Sequence, residues 1–249
     1  MMNYTVFSDT EELARVFAAQ VAAVFRKKPT GVLGTATGSS PLDVYRVLGR
    51  LVEIGAVSFK EVTTFQLDEY VGLPEGHPQS YRTFIQEHLV SVTDLRSYNV
   101  NVPNPHLVGS EGIENLDDVA LAYDRAIKDA GGVDFQILGI GSDGHIAFDE
   151  PGTPLDSRTH VADLAQQTIR DNARFFDGDL SQVPTQCITQ GLGTIMEARE
   201  IGLIALGENK AQAVRDMMLG PITPDCPASV LQKHPKCRVF LDEAAASKL

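Results

Sequence analysis

The stretch IGLIALG (201–207) runs straight into ENKAQAVRDMMLG (208–220), and this junction decides the fold class. Its first part is apolar without alternation, as a strand covered on both faces reads, and its second part carries a helical pattern. The same rhythm recurs along the chain. Strands are predicted at GVLGTA (31–36), VTTFQL (62–67), VDFQILGIG (133–141) and RVFLD (238–242), with helical patterns at YRTFIQEHLV (81–90) and DDVALAYDRAIKDA (117–130). Ser8 and Glu11 have the spacing of a capping box, followed by Leu13, Val16, Phe17, Val21, Val24 and Phe25 at helical intervals. Pro41 stands at a natural first helical position, and Leu42, Tyr45, Leu48 and Leu51 continue a helix that stops near Gly55. Alternation of this kind implies right-handed crossovers and a mostly parallel, doubly wound sheet between helices: a three-layer αβα, Rossmann-like α/β fold. No linker, repeat or low-complexity tract interrupts residues 1–249, which are expected to form a single domain.

Composition narrows the partners. Of 249 residues, 43% are apolar, enough for a full core. Acidic residues number 33 against 21 basic, a net charge of −12, and such a surface repels phosphate backbones and anionic lipid. Neither nucleic acid nor membrane is an expected partner, and an anionic ligand would need a local cluster of donors. The start MMNYTVFSDTEELARVF lacks the pattern of a signal peptide, and no apolar run approaches a membrane span, so a cytoplasmic location is expected. Cys187, Cys226 and Cys237 are odd in number and far apart, which predicts buried free thiols and no metal site.

In doubly wound folds ligands collect beyond the carboxyl ends of the strands. Three loops there carry chemistry. Thr37, Gly38, Ser39 and Ser40 lie between a strand and a helix start; they either cradle a phosphate on backbone and hydroxyl donors or merely open the helix. Asp143, His145 and Glu150 follow the strand at 133–141. Carboxylates around one imidazole suit a proton relay, and a surface turn is the alternative. Asp68 and Glu69 follow the strand at 62–67, where a carboxylate serves either as general base or as no more than a helix cap or one of a solvated turn pair. Lys210, near a helix start, is electrostatically misplaced unless an anion sits there; Arg174 joins it as a candidate anion contact, with a surface ion pair as its alternative.

Along nearly its whole length the sequence resembles the glucosamine-6-phosphate deaminase family. The matching stretches are LGTATGSSP, VSFKEVTTFQLDEYVGLPEGHPQSY, LGIGSDGHIAFDEPGTPLDSRTH, NARFF, ITQGLGTIMEAR, LGENKA and LQKHPK. The resemblance implies a cofactor-free hydrolase that isomerises and deaminates glucosamine 6-phosphate to fructose 6-phosphate and ammonia. It implies that His145 helps to open the sugar ring, with Asp143 and Glu150 as charge partners, and that Asp68 moves a proton from C2 to C1. It assigns phosphate contacts to Thr37, Gly38, Ser39, Ser40, Arg174 and Lys210, and a mobile lid to about residues 164–184. Larger, allosterically activated members carry basic residues after the SRT segment and a longer C-terminus. Here His160, read as an ordinary exposed histidine, and Ala162 stand there and the chain stops at Leu249, so activation by N-acetylglucosamine 6-phosphate is not expected. Family members occur as monomers and as hexamers, which leaves a homo-oligomer open. Two rivals remain. A 6-phosphogluconolactonase-like hydrolase shares Asp-Gly-His but not the IAFDEP continuation with Glu150, and a non-catalytic sugar-phosphate sensor has no need of the acid–base set.

Overall fold

The computed structural model describes residues 2–249, the side chain of Asp171 excepted. In chain order the elements are β1 (Asn3–Phe7), α1 (Thr10–Lys27), β2 (Val32–Thr35), α2 (Leu42–Glu53), β3 (Thr63–Gln66), β4 (Asp68–Tyr70), α3 (Tyr81–His88), β5 (Val100–Asn101), α4 (Leu116–Asp129) and β6 (Phe135–Leu138). Then follow β7 (His160–Asp163), α5 (Gln166–Asn172), β8 (Gln186–Thr189), α6 (Leu192–Met196), β9 (Ile201–Ala205), α7 (Ala211–Leu219) and β10 (Cys237–Asp242). Seven strands form one sheet in the order β1-β10-β9-β6-β2-β3-β5, and every neighbouring pair in it is parallel. Helices flank this sheet in a three-layer α/β arrangement.

The strand order fixes where a ligand can enter. From β2 the chain moves outward to β3 and β5, then returns to place β6 on the other side of β2. The switch point therefore lies between β2 and β6, where the loops leaving the two strands diverge and open a crevice. Those are the loops that begin at Ala36 and at Gly139.

Apolar packing holds the sheet in place. Phe17, fully buried on α1, sets its ring edge against Phe240 at 4.8 Å and Phe135 at 5.9 Å. Burial of one such side chain contributes about 2–3 kcal/mol. Leu13, Val21 and Phe25 are buried on the same face, as their spacing predicts, whereas Val16 is 44% exposed.

Several expectations need correction. Asp9, not Ser8, caps α1, accepting the Glu11 amide at 2.9 Å. The charged acceptor at the helix's positive end wins over the hydroxyl one residue earlier. Pro41 precedes α2 by one residue instead of opening it. The strand predicted at 62–67 breaks at Leu67: β3 stays in the main sheet, while β4 joins a second sheet, β4-β8-β7, which is antiparallel. His160 is a half-buried residue of β7 whose Nδ1 lies 2.8 Å from the Arg158 carbonyl oxygen, so it is not an ordinary exposed histidine. All three cysteines are buried and free, as the sequence predicts. No helix among the described residues is long and apolar enough to cross a membrane.

Candidate active site

The crevice at the switch point is a cavity of about 510 Å³. Nine of the ten residues to which the resemblance assigns a role line it: Thr37, Gly38, Ser39, Ser40, Asp68, Asp143, His145, Arg174 and Lys210. Glu150 stands outside the wall and touches the site through His145.

The loop after β2 is held from beneath. Tyr45, fully buried on α2, accepts the Ala36 amide at 3.1 Å and donates its hydroxyl to the Ala36 carbonyl at 2.7 Å. Gly38 has φ +86°, a conformation that an L side chain would resist, and α2 begins without a capping side chain. Among the described residues no side chain claims the first-turn amides of α2, which suits an anion. Lys210 reaches the cavity from the short turn after β9, and Arg174 from the turn after α5, where its guanidinium lies 4.7 Å from the Phe175 ring centroid.

The loop after β6 folds back on itself: Gly141 donates its amide to the His145 carbonyl at 2.8 Å. A Cβ on Gly141 would lie 2.3 Å from the imidazole, so only glycine lets that ring rest against the strand end. His145 Nδ1 is 2.7 Å from Asp143 Oδ1 and 3.6 Å from Glu150 Oε2. The Asp143 oxygen lies off the ring's N–H direction and the Glu150 oxygen is too distant, so these are ionic contacts and not aligned hydrogen bonds. Burial alone would lower the imidazole pKa, but the two carboxylates outweigh it and push His145 up to about 9. Partial burial likewise acts to raise Asp143, yet the His145 cation holds its carboxyl well below the usual range. The donor atoms of Asp143, His145 and Glu150 lie within 4.8 Å of one another. With its imidazole protonated, the trio supplies its own cation and suits an acid better than a metal ion.

Asp68, 5% exposed, faces the same cavity from β4. Burial is the main force that raises its pKa to about 8; Glu69 adds to the shift and His145 opposes it. The second acid of the pair has a different task. Glu69 accepts the amides of Tyr70, Tyr81 and Arg82, each at 2.9 Å, and so anchors the start of α3. Of the readings open in the sequence for this pair, the cap belongs to Glu69, while the Asp68 carboxyl is left facing the cavity.

The matched residues fix the family. A sequence profile described as glucosamine-6-phosphate isomerases/6-phosphogluconolactonase matches residues 8–240. The chain belongs to this family. Within the isomerase/lactonase family, a glucosamine-6-phosphate deaminase of Bifidobacterium longum is 48% identical, and one of Mycolicibacterium smegmatis 49%, each matched by the whole of this chain and over 93% of the relative. The solved structure of a monomeric glucosamine-6-phosphate deaminase superposes over all of both chains with a TM-score of 0.93 at 38% identity. The 6-phosphogluconolactonase of Trypanosoma cruzi superposes at 0.76 with 20% identity over the whole of this chain and 97% of the other, which shows a common fold and no more.

Other residues of the site escaped the sequence reading. Tyr70, Tyr81, Phe148 and Phe176 wall the cavity; Tyr81 and Phe148 stack with centroids 5.9 Å apart, and Tyr70 lies 4.7 Å from Tyr81. Period-two alternation along β4, which sets Tyr70 on the face of Asp68, was the available signal. Asp149, wholly buried beside the loop, has Oδ1 3.4 Å from the Ser157 hydroxyl; burial raises its pKa well above the ordinary value.

Proposed function

We propose that the chain converts glucosamine 6-phosphate to fructose 6-phosphate and ammonia. The observation that carries this reading is the meeting of Asp68 and His145 in one cavity that also holds Thr37–Ser40, Lys210 and Arg174. Full-length relatives that bear the deaminase name support it.

The chemistry follows from the geometry. The loop at 37–40, with Lys210 and Arg174, binds the phosphate and fixes the sugar's orientation. His145, cationic at neutral pH, lends a proton to the ring oxygen as the pyranose opens to an aldehyde. Only then is the C2 proton acidic. Asp68, a stronger base than an ordinary carboxylate, takes that proton to give an enolamine and returns it to C1. The C2 imine that remains takes up one water and releases ammonia, leaving the ketone. Residues 164–184 act as a lid over the cavity, bringing Arg174 with them and keeping bulk water from the enolamine.

The test is an ammonia-release assay on glucosamine 6-phosphate with fructose 6-phosphate measured alongside, on the wild type and Asp68→Asn. The expected result is turnover that falls about 100-fold or more in the variant. Base uptake on 6-phosphogluconolactone without ammonia release from the amino sugar would instead assign a lactonase.

A further inference from the structure

Helix α5 touches the active site through two side chains one turn apart. Thr168 and Asn172 share a face of the helix, and each reaches a different segment of the site. Thr168 Oγ1 donates to Glu150 Oε1 at 2.5 Å, and Asn172 Nδ2 donates to the Tyr70 hydroxyl at 2.8 Å. Glu150 belongs to the His145 loop; Tyr70 shares β4 with Asp68. Glu150 is thus divided between two partners. One carboxyl oxygen is held by Thr168, and the other stands 3.6 Å from His145 Nδ1, buried and without a hydrogen bond among the described residues. The Thr168 hydroxyl is the only hydrogen-bond partner of the Glu150 carboxylate among the described residues. A Glu side chain with one oxygen fixed has little freedom to swing; with neither fixed, it turns toward water.

We propose that Thr168 is a positioning residue, whose hydroxyl holds Glu150 beside His145 when α5 is seated, so that closing the lid completes the ring-opening acid. This rests on the function proposed above. It orders the reaction: proton transfer at the ring oxygen waits until the cavity is covered, and no reactive open-chain sugar forms in an open site. His145 is faced by Asp143 and Glu150 from its own loop, by Asp68 from β4 and by Asp149 from beneath. Arg174 and Lys210 line the same cavity. Among these, Glu150 is the group that Thr168 touches. Loss of the hydroxyl therefore removes part of the imidazolium's support and leaves the Asp143 contact in place.

The experiment is an NMR titration of the His145 ring, its signal assigned among the six histidines by H145Q. It compares wild type, Thr168→Val, Thr168→Ser, Glu150→Gln and the Thr168→Val/Glu150→Gln pair. Thr168→Val is expected to lower the His145 midpoint by about half a pH unit or more, and Thr168→Ser to restore it. In the Glu150→Gln background Thr168→Val should add nothing. With glucosamine 6-phosphate, Thr168→Val should reduce kcat about tenfold with little change in KM, and Thr168→Ser should recover it. A wild-type midpoint in Thr168→Val, or an equal shift with Glu150→Gln already present, would overturn the proposal. The titration needs no turnover, so a wild type that released no ammonia would defeat the proposed function without deciding this contact.

Discussion

Asp68 and Thr189 face each other across the antiparallel β4–β8 pair, and the Thr189 hydroxyl accepts the backbone amide of Phe148 at 3.1 Å. One fully buried threonine thereby ties the strand of the candidate base to the loop of the candidate acid. Thr189→Val keeps the shape but leaves the Phe148 amide buried without an acceptor, at a cost of about 1–3 kcal/mol. Urea denaturation should show that loss, and kcat should fall more than KM rises. Thr189→Ser should retain most of both.

Asp68 makes stability and activity pull in opposite directions. Its folded pKa, near 8, is above the ordinary 3.8, so its contribution to stability is fully present below about pH 4 and lost as pH rises through 8. Asp68→Asn carries no charge to bury. Its melting temperature should therefore match the wild type's in acid and exceed it by a margin that grows up to about pH 8 and then levels. On the order of a few kcal/mol separates the two at the plateau, while turnover is lost. Parallel melting curves at every pH would show that the carboxyl titrates normally.

The His145–Asp143 contact predicts a window with two edges. The imidazolium's contribution is fully present below its ordinary pKa near 6.5 and lost as pH rises through about 9. Asp143, whose pKa is depressed, contributes above its ordinary 3.8 and loses that contribution as pH falls through its folded value. Asp143→Asn should thus destabilise most between about pH 4 and 6.5, progressively less as pH rises to about 9, and least beyond that and in strong acid. The side chain of Asp143 is 37% exposed, so the effect is modest, and calorimetry across pH is the measurement.

The site was more legible in the sequence than the architecture around it. Thr37–Ser40 and the Asp143–His145 turn follow strands that are buried on both faces, and such strands announce their own ends. The second sheet gave no such signal. In β7 the sequence HVAD is half-buried to exposed, β8 is four residues long, and neither offers a continuous apolar run or clean alternation. The edge strand β1, NYTVF, buries only Phe7 and was passed over for the same reason. Helix α5 reads as polar in sequence because Ile169 is its one apolar residue and its contacts to the site, Thr168 to Glu150 and Asn172 to Tyr70, are hydrogen bonds. Glu69 could be told from Asp68 only once the amides of α3 were seen to converge on it.

Ala147 is held at φ 53° between His145 and Phe148, in the left-handed region that costs an L residue about 1–2 kcal/mol. Ala147→Gly should raise the unfolding free energy by about 0.5–1 kcal/mol in chemical denaturation. A loss of stability would mean that the methyl group's packing outweighs the backbone strain.

The polypeptide that brings Thr168 and Arg174 to the cavity wall leaves β7 and re-enters at β8, and these strands are neighbours: Asp163 pairs with Gln186, and the Leu164 amide meets the Thr185 carbonyl at 2.8 Å. Departure and return are thus stitched together at one point, like the two ends of a handle. Length and composition between them can drift without moving the strands on either side, provided that Thr168, Asn172 and Arg174 keep their places. That makes the excursion a cassette, exchangeable between relatives as one piece, through which a lineage can retune access and the hold on Glu150 together.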